Sequence, residues 1–240
     1  SVRMVYPAMS SGESKEMAGN GPFPWVVLFG DVDEEISDYM LLAESLVKRG
    51  NIVVVTDGIE QSDTAKIQSH LDLLEQITLF MQENNNSNNY TQGSFGQIDL
   101  NHWGIGGHGT GAAAAYSVYP FWQHSSLSSS TQPPRALFGL GTDFSGWESG
   151  DNWDTLRPSN WTVQPAWPAS ALFITGTIDE IATRGDNLPF VNGTQYIGWQ
   201  WMHVLGANHY QFQDETDDEW FWEDDRNDGD ASISRQEQID

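Results

Sequence analysis

The chain has 240 residues, of which 38% are hydrophobic and 12% aromatic, so it can form a sizeable core and is not a disordered sequence. Its 34 acidic residues against 10 basic ones give a formal charge of −24, which argues against nucleic acids and anionic membranes as partners. Cysteine is absent, which excludes disulfide bonds, thiol catalysis and zinc–thiolate sites. No apolar run is long enough to predict a membrane span.

Short apolar segments predict strands that alternate with segments of helical periodicity. The predicted strands are 2–6, 25–29, 52–55, 102–106, 136–140, 171–175 and 199–205. Apolar residues recur at helical spacing over 36–47 and 63–81, with an Asn run ending the second helix, and an Ala-rich segment predicts a third helix over 111–118. This order predicts an α/β protein with a mostly parallel central sheet covered by helices on both faces.

The most informative segment is the one in which a predicted strand enters a glycine-rich turn and the Ala-rich helix leaves it. This is the setting of the G-x-S-x-G nucleophile elbow, where small residues let strand and helix pack closely around a strained turn. The turn is Gly107-His-Gly-Thr-Gly111, which matches the motif except that glycine replaces serine. Taken alone, the segment fits equally well a glycine-rich turn without chemistry.

Two later segments add an acid and a base. Asp179 follows a predicted strand and His209 lies on a loop after the last strand, so the order of elbow, Asp and His is that of hydrolase triads. With these residues the chain resembles the α/β-hydrolase superfamily, and within it the secreted esterases near dienelactone hydrolases, chlorophyllases and cutinase-like polyesterases. The opening Tyr6-Pro-Ala and the segment from Gly21 to Val27 are similar to that family too. The resemblance covers nearly the whole chain.

The resemblance implies an α/β-hydrolase fold with Asp179 as the triad acid and His209 as the base. Gly109 stands at the nucleophile position and, without a side chain, cannot form an acyl-enzyme. Thr110 is expected to be a poor substitute because its side chain is turned by about 100° around the helix, away from His209. Its backbone N–H is predicted to be one oxyanion donor, with Val32 N–H a weaker candidate for the second. The opposing interpretation is that the acid and the base are relics that only hold their loops.

A second departure from the family follows the strand that ends at Phe29. Family members usually have a Ser-His-Gly-like turn there, which supplies an oxyanion N–H, whereas this chain has the acidic turn Gly30-Asp-Val-Asp-Glu-Glu35. Its carboxylates are expected to oppose negative charge in an oxyanion hole. We interpret this turn and Gly109 as two independent losses, which favours natural loss of esterase chemistry over a serine replaced for crystallography.

The acidic C-terminal segment, 214–240, contains a candidate calcium loop and is expected to pack on the hydrolase-like domain, 1–213. Closely spaced oxygens that end in a bidentate Glu suit Ca²⁺, and no other cofactor is required. The predicted ligands are Asp228, Asp230, Ser232, Ser234 and Glu237. Because Arg226 and Ala231 depart from the calcium-loop pattern, a solvated acidic tail is the alternative.

The acidic turn Gly30–Glu35 could also bind a cation, together with His108 or His209. A charge run on a loop is, however, more often only solvated.

Four Asn-x-Ser/Thr sequons, together with the acidity, favour a secreted glycoprotein. They begin at Asn85, Asn89, Asn160 and Asn192. The chain opens almost directly on a strand, as a processed mature chain would.

Four tryptophans are predicted to wall or to plug a cleft above the sheet. They are Trp147, Trp153, Trp161 and Trp167.

These observations leave three functions open. The one we favour is a secreted hydrolase-fold protein without a catalytic serine, acting as a non-catalytic binding or assembly component. Its partners would be further copies of the chain, other extracellular proteins or a small ester-like ligand. The second is a hydrolase of carboxylic esters or polyesters whose serine is replaced at Gly109, or in which His209 and Asp179 activate water. The third is metal-assisted hydrolysis by the acidic turn and a histidine.

Overall fold

The computed structural model of the chain describes most of the predicted domain. The described residues are 1–13, 15–19, 21–32, 34–58, 63–86, 98–128, 130–144, 169–182, 198–213, 228 and 232. Within them the chain forms one seven-stranded sheet with helices against it. The prediction of an α/β protein with a mostly parallel sheet is therefore confirmed.

The strands and helices alternate along the chain. The strands are β1 (Val2–Val5), β2 (Phe23–Phe29), β3 (Ile52–Thr56), β4 (Ile98–His108), β5 (Ala136–Leu140), β6 (Ser170–Gly176) and β7 (Gly198–Val204). The α-helices are α1 (Met40–Lys48), α2 (Asp63–Asn86) and α3 (Gly109–Val118). Short 3₁₀ turns occupy Ile36–Tyr39, Tyr119–His124 and Tyr210–Phe212.

The strand order places the ends of six parallel strands along one edge. The order is β1-β3-β2-β4-β5-β6-β7, with β1 antiparallel to β3 and every other neighbouring pair parallel. Phe29 at the end of β2 pairs with Gly107 near the end of β4, and His108 pairs with the last residue of β5. Because carboxyl ends of parallel strands share an edge, the turns after β2, β4, β5, β6 and β7 lie together there.

Alternating strand residues bury the two faces of the sheet in separate cores. Val27 packs with residues of α2 and α3, whereas its neighbour Leu28 packs with α1. All five residues of β3 are buried, which explains its continuous apolar sequence. The larger core includes a stacked pair of indoles, Trp25 and Trp103, whose ring centroids are 4.5 Å apart.

The elements differ from the sequence-based bounds mainly at their ends. The helix α2 continues through Asn84 to Asn86, so the prediction that the Asn run ends this helix is wrong for its first three residues. The side chain of Asn84 donates to the Phe80 carbonyl, and Asn85 Oδ1 accepts from the N–H of Ile98, so these polar residues find partners at the helix end. No helix in the described part of the chain is both long and apolar enough to cross a membrane.

Candidate functional site

The site is built on the tight turn between β4 and α3. Gly109 has φ +52°, the left-handed region that favours glycine. The neighbouring glycines allow close approach: a Cβ at Gly107 would lie 2.4 Å from the backbone carbon of Gly111, and one at Gly111 2.4 Å from the Phe29 carbonyl oxygen. The small residues of the turn thus bring the end of β2 against the first turn of α3.

The carboxylate of Asp31 fills the space in front of Gly109. Asp31 follows β2 by two residues and lies in the acidic turn. A Cβ at position 109 would be 1.9 Å from Asp31 Oδ2 and 2.3 Å from its Cγ, far inside van der Waals contact. Glycine at position 109 and the carboxylate of Asp31 are therefore complementary in space, so the glycine and the acidic turn are not independent features.

One oxygen of Asp31 receives the hydrogen bonds that the sequence assigned to an oxyanion. The backbone N–H of Thr110 donates to Asp31 Oδ1 at 2.9 Å, and the N–H of Val32 donates to the same oxygen at 2.8 Å. The Thr110 hydroxyl adds a third bond at 2.6 Å. The two predicted oxyanion donors do converge, but on a carboxylate of the protein itself. The acidic turn does not oppose these donors; it supplies their acceptor.

His209 lies between two carboxylates. Its Nδ1 is 3.3 Å from Asp179 Oδ2, and its Nε2 is 3.5 Å from Asp31 Oδ2. Asp179 is held in turn, since its Oδ1 accepts from the N–H groups of Ile181 and Ala182. The structure thus brings together the predicted acid and base and adds a second carboxylate on the side of the imidazole that faces the nucleophile position.

The charges of this arrangement stabilise each other. Burial disfavours the charged form of His209, but hydrogen bonds to Asp179 and Asp31 outweigh it and raise the pKa of His209 from 6.5 to about 10. Burial likewise disfavours ionised Asp31, yet the hydrogen bond and positive charge of His209, together with the hydrogen bond from Thr110, hold the pKa of Asp31 well below the ordinary value. At neutral pH the site is an imidazolium between two carboxylates, and a cationic His209 cannot accept a proton.

A second buried pair of side chains, Tyr39 and His108, fixes the backbone of Asp31 and of His209. Tyr39 Oη accepts from the Asp31 N–H at 2.9 Å and lies 3.2 Å from His108 Nδ1, while His108 Nε2 lies 3.0 Å from the His209 carbonyl oxygen. Because that carbonyl can only accept, Nε2 carries the proton and Nδ1 accepts the tyrosine hydroxyl. Burial and then the charge on His209 lower the pKa of His108 to about 4, so the ring is neutral.

The end of β5 contributes space for the imidazole, which sequence reasoning had missed. Gly141 has φ +46°, and a Cβ there would lie 2.8 Å from His209 Nδ1 and 3.3 Å from Asp179 Oδ2. Any larger residue at this position would push His209 away from Asp179. The sequence signal was only a lone glycine directly after a predicted strand.

Residues of the C-terminal segment connect the loop that carries Asp179 with the loop that carries His209. Asp228 Oδ1 accepts from the N–H of Glu180 at 3.0 Å, and its Oδ2 accepts from the N–H of His209 at 2.8 Å. The N–H of Ser232 donates to the Gly206 carbonyl. The other predicted calcium ligands, Asp230, Ser234 and Glu237, lie outside the described residues, so the calcium loop stays a prediction.

Asp31 of the acidic turn belongs to a cluster of three side chains whose atoms could ligate a metal ion. Single ligand atoms of Asp31, His108 and His209 lie within 4.8 Å of one another. Each side chain also has hydrogen-bonding partners, including Tyr39 for His108 and Thr110 for Asp31. Glu35, another carboxylate of the turn, instead takes part in a capping box with Asp38, and Asp33 lies outside the described residues.

The remaining predicted features lie mostly outside the described residues. Asn85, the first sequon asparagine, is in the last turn of α2 and is half-buried. The other three sequon asparagines and the four tryptophans of the predicted cleft lie outside the described residues. They are Asn89, Asn160, Asn192, Trp147, Trp153, Trp161 and Trp167.

No protein-family model matches the chain, and none of the curated proteins compared with it matches either. Its chemistry therefore rests on the geometry of the site. Sequence reasoning missed the position of Asp31, because the acidic turn predicts a cluster of charge and not one carboxylate directed at Gly109.

Proposed function

We propose that this chain is an α/β-hydrolase-fold protein without serine-dependent ester hydrolysis, which acts outside the cell as a binding or assembly component. The elements that support the fold assignment are the elbow-like turn after β4, Asp179 after β6 and His209 after β7. The observation that carries the functional proposal is the carboxylate of Asp31 in front of Gly109.

Ester hydrolysis by the serine route has three requirements that the site does not meet. There is no side chain at Gly109 to form an acyl-enzyme. The N–H groups of Thr110 and Val32, which would stabilise an oxyanion, already bind the charged oxygen of Asp31, and a neutral ester carbonyl is a weaker acceptor. His209 is cationic at neutral pH, so it cannot serve as the general base.

The competing proposal is an esterase whose serine has been replaced by Gly109. In that case restoring the serine should restore the enzyme. The geometry opposes this outcome, because a serine Cβ would overlap Asp31 Oδ2. Restoration should instead need a second change that removes the Asp31 carboxylate and frees the two N–H donors.

The experiment is hydrolysis of para-nitrophenyl acetate by the native chain, by Gly109→Ser and by Gly109→Ser combined with Asp31→Gly. We expect the first two proteins to be inactive and the double variant to turn over, since Asp179 and His209 remain aligned. Gly109→Ala with Asp31→Gly is the matched control, because it has the same space and no nucleophile. Ester turnover by the native chain that is lost in His209→Ala would refute the proposal.

The assembly role is tested separately by sedimentation of the native chain over a range of concentrations. Association that grows with concentration supports self-assembly. A monomer at every concentration would leave binding to another molecule as the proposed role.

A further inference from the structure

Three side chains at the centre of the site direct one atom each toward a common point. Ligand atoms of Asp31, His108 and His209 lie within 4.8 Å of one another. One point can therefore lie within about 2.8 Å of all three atoms, whereas zinc bonds to nitrogen and oxygen are about 2.0–2.2 Å long. Inward shifts of roughly 0.6 Å would bring two imidazoles and one carboxylate into bonding distance of a single ion.

The contact between His209 and Asp31 has the length expected for two ligands of one ion. His209 Nε2 is 3.5 Å from Asp31 Oδ2. A charge-assisted hydrogen bond between these groups would ordinarily be about 2.7–2.9 Å long. Two tetrahedral ligands with bonds of about 2.0–2.2 Å lie about 3.3–3.6 Å apart, a range that includes the separation observed.

Each of the three side chains is also oriented through its other polar atom. His209 Nδ1 is 3.3 Å from Asp179 Oδ2, and His108 Nε2 is 3.0 Å from the His209 carbonyl oxygen. Asp31 Oδ1 is held by the two backbone N–H groups described above. Histidines and carboxylates that bind metal ions are commonly oriented by hydrogen bonds of this kind. The atoms that remain for an ion are His209 Nε2, His108 Nδ1 and Asp31 Oδ2.

We propose that Asp31, His108 and His209 bind one divalent transition-metal ion, of which zinc is the type. Two nitrogen ligands and one carboxylate suit zinc, whereas Ca²⁺ and Mg²⁺ prefer oxygen ligands throughout. The carboxylates of Asp31 and Asp179 carry two negative charges, which a divalent ion balances and a single imidazolium does not. The formal charge of −24 also attracts cations to the protein. This inference goes beyond the proposed function, because it adds a metal ion to the site and leaves the role of the surface unchanged.

Binding changes two of the existing contacts and keeps the others. The ion replaces the proton on His209 Nε2, which leaves to solvent. It also replaces the hydroxyl of Tyr39 as the partner of His108 Nδ1, while Tyr39 Oη still accepts from the Asp31 N–H. Asp31 is the ligand nearest to solvent, since its side chain is 16% exposed and that of His209 only 2%. A water molecule at the fourth position would complete a tetrahedral site.

The test measures zinc bound by the native chain in equilibrium dialysis, with Ca²⁺ in excess to occupy surface carboxylates. We expect one tightly bound zinc ion per chain. Asp31→Asn and His209→Gln should each lose it, because each removes a ligand. His102→Gln is the matched control, since His102 forms another histidine–carboxylate pair, 2.8 Å from Asp99, on the exposed surface. This variant should bind zinc as the native chain does.

A second set of variants keeps all three ligands and changes only their positions. In Gly109→Ala the new Cβ would lie 1.9 Å from Asp31 Oδ2, so the carboxylate is displaced and the tight zinc should be lost. Gly50→Ala has a similar positive φ and no atom near the added Cβ, so it should keep the zinc. Asp179→Asn weakens only the orientation of His209, and the zinc affinity should fall by about 10- to 100-fold.

A measurement on the native chain protects the test against variants that fail to fold. With heavy nitrogen in its histidines, added zinc should shift the ring-nitrogen resonances of two of the six histidines. The proposal is overturned if the native chain binds no zinc tightly beside Ca²⁺, or if no histidine resonance shifts. It is equally overturned if folded Asp31→Asn and His209→Gln both keep the zinc, or if His102→Gln loses it. None of these outcomes depends on the para-nitrophenyl acetate or sedimentation results.

Discussion

Replacing Gly109 with alanine should destabilise the protein mainly through its effect on Asp31. The positive φ of +52° costs an L-residue on the order of 1 kcal/mol relative to glycine. The new Cβ would lie 1.9 Å from Asp31 Oδ2, so the carboxylate must leave its position. Losing its bonds from Thr110 and Val32 costs about 1.5 kcal/mol or more for each charge-assisted hydrogen bond. The expected loss of unfolding free energy is therefore roughly 4 kcal/mol.

A double-mutant cycle separates the two contributions. In an Asp31→Ala background there is no carboxylate to displace, so Gly109→Ala should cost only the backbone strain, on the order of 1 kcal/mol. The interaction energy between the two positions should then be about 3 kcal/mol. Gly50→Ala is a matched control for strain, because Gly50 has φ +87° and no atom within 4 Å of an added Cβ.

The assay is urea unfolding of the native chain and the four variants, followed by circular dichroism. The reasoning is refuted if the costs of the two substitutions add within about 0.5 kcal/mol, as expected for independent sites. It is refuted as well if Gly109→Ala costs no more than Gly50→Ala, since strain alone would then explain it.

The remaining predictions concern charge and the C-terminal segment. Because the pKa of His209 is raised from 6.5 to about 10, its contribution to stability is complete below pH 6.5 and is lost as the pH rises through about 10. The free energy of unfolding should fall by on the order of 1 kcal/mol per pH unit over this range, and Asp31→Asn should reduce this dependence. Unfolding free energies that stay level from pH 7 to 10 would contradict the prediction. The pKa of Asp31 is lowered, so pH affects its contribution in the opposite direction. Asp31 contributes fully to stability above pH 3.8, its ordinary pKa, and this contribution is lost in stronger acid. Asp228→Ala should cost about 2 kcal/mol in urea unfolding, since the N–H groups of Glu180 and His209 lose their acceptor. Ser232→Ala should cost little, because among the described residues Ser232 bonds through its backbone N–H. If the predicted calcium loop binds, adding Ca²⁺ should raise Tm and a chelator should reverse the rise; an unchanged Tm would exclude it.

The sheet could be predicted because the amino-acid composition of its strands identifies them in the sequence. β3 is buried along its whole length and reads as a continuous apolar run, and the alternation of strands with amphipathic segments left little choice of architecture. Strand and helix ends were less predictable. Asn84 bonds to the Phe80 carbonyl one turn earlier in α2, and Asn85 accepts from the N–H of Ile98, which only the folded chain places nearby.

Part of the site could also be predicted, and for a different reason. Asp179, His209 and Thr110 were recognised from their order along the chain and from the turn that precedes them. The role of Asp31 could not be, because it depends on contact between residues separated by 78 or 79 positions in sequence. The sequence shows a glycine in one turn and several carboxylates in another, and nothing in it says that one of these carboxylates fills the space in front of the glycine.

The coupling of these two positions argues against passive decay of the site. A glycine at position 109 with a small residue at position 31 would leave an empty polar space, two N–H groups without an acceptor and a buried histidine facing it. A serine at position 109 would exclude the carboxylate from its present place. Only the combination of Gly109 and Asp31 satisfies the N–H groups of Thr110 and Val32 and balances the charge of His209. Passive decay gives no reason for such a combination, whereas selection for a stable charged site does.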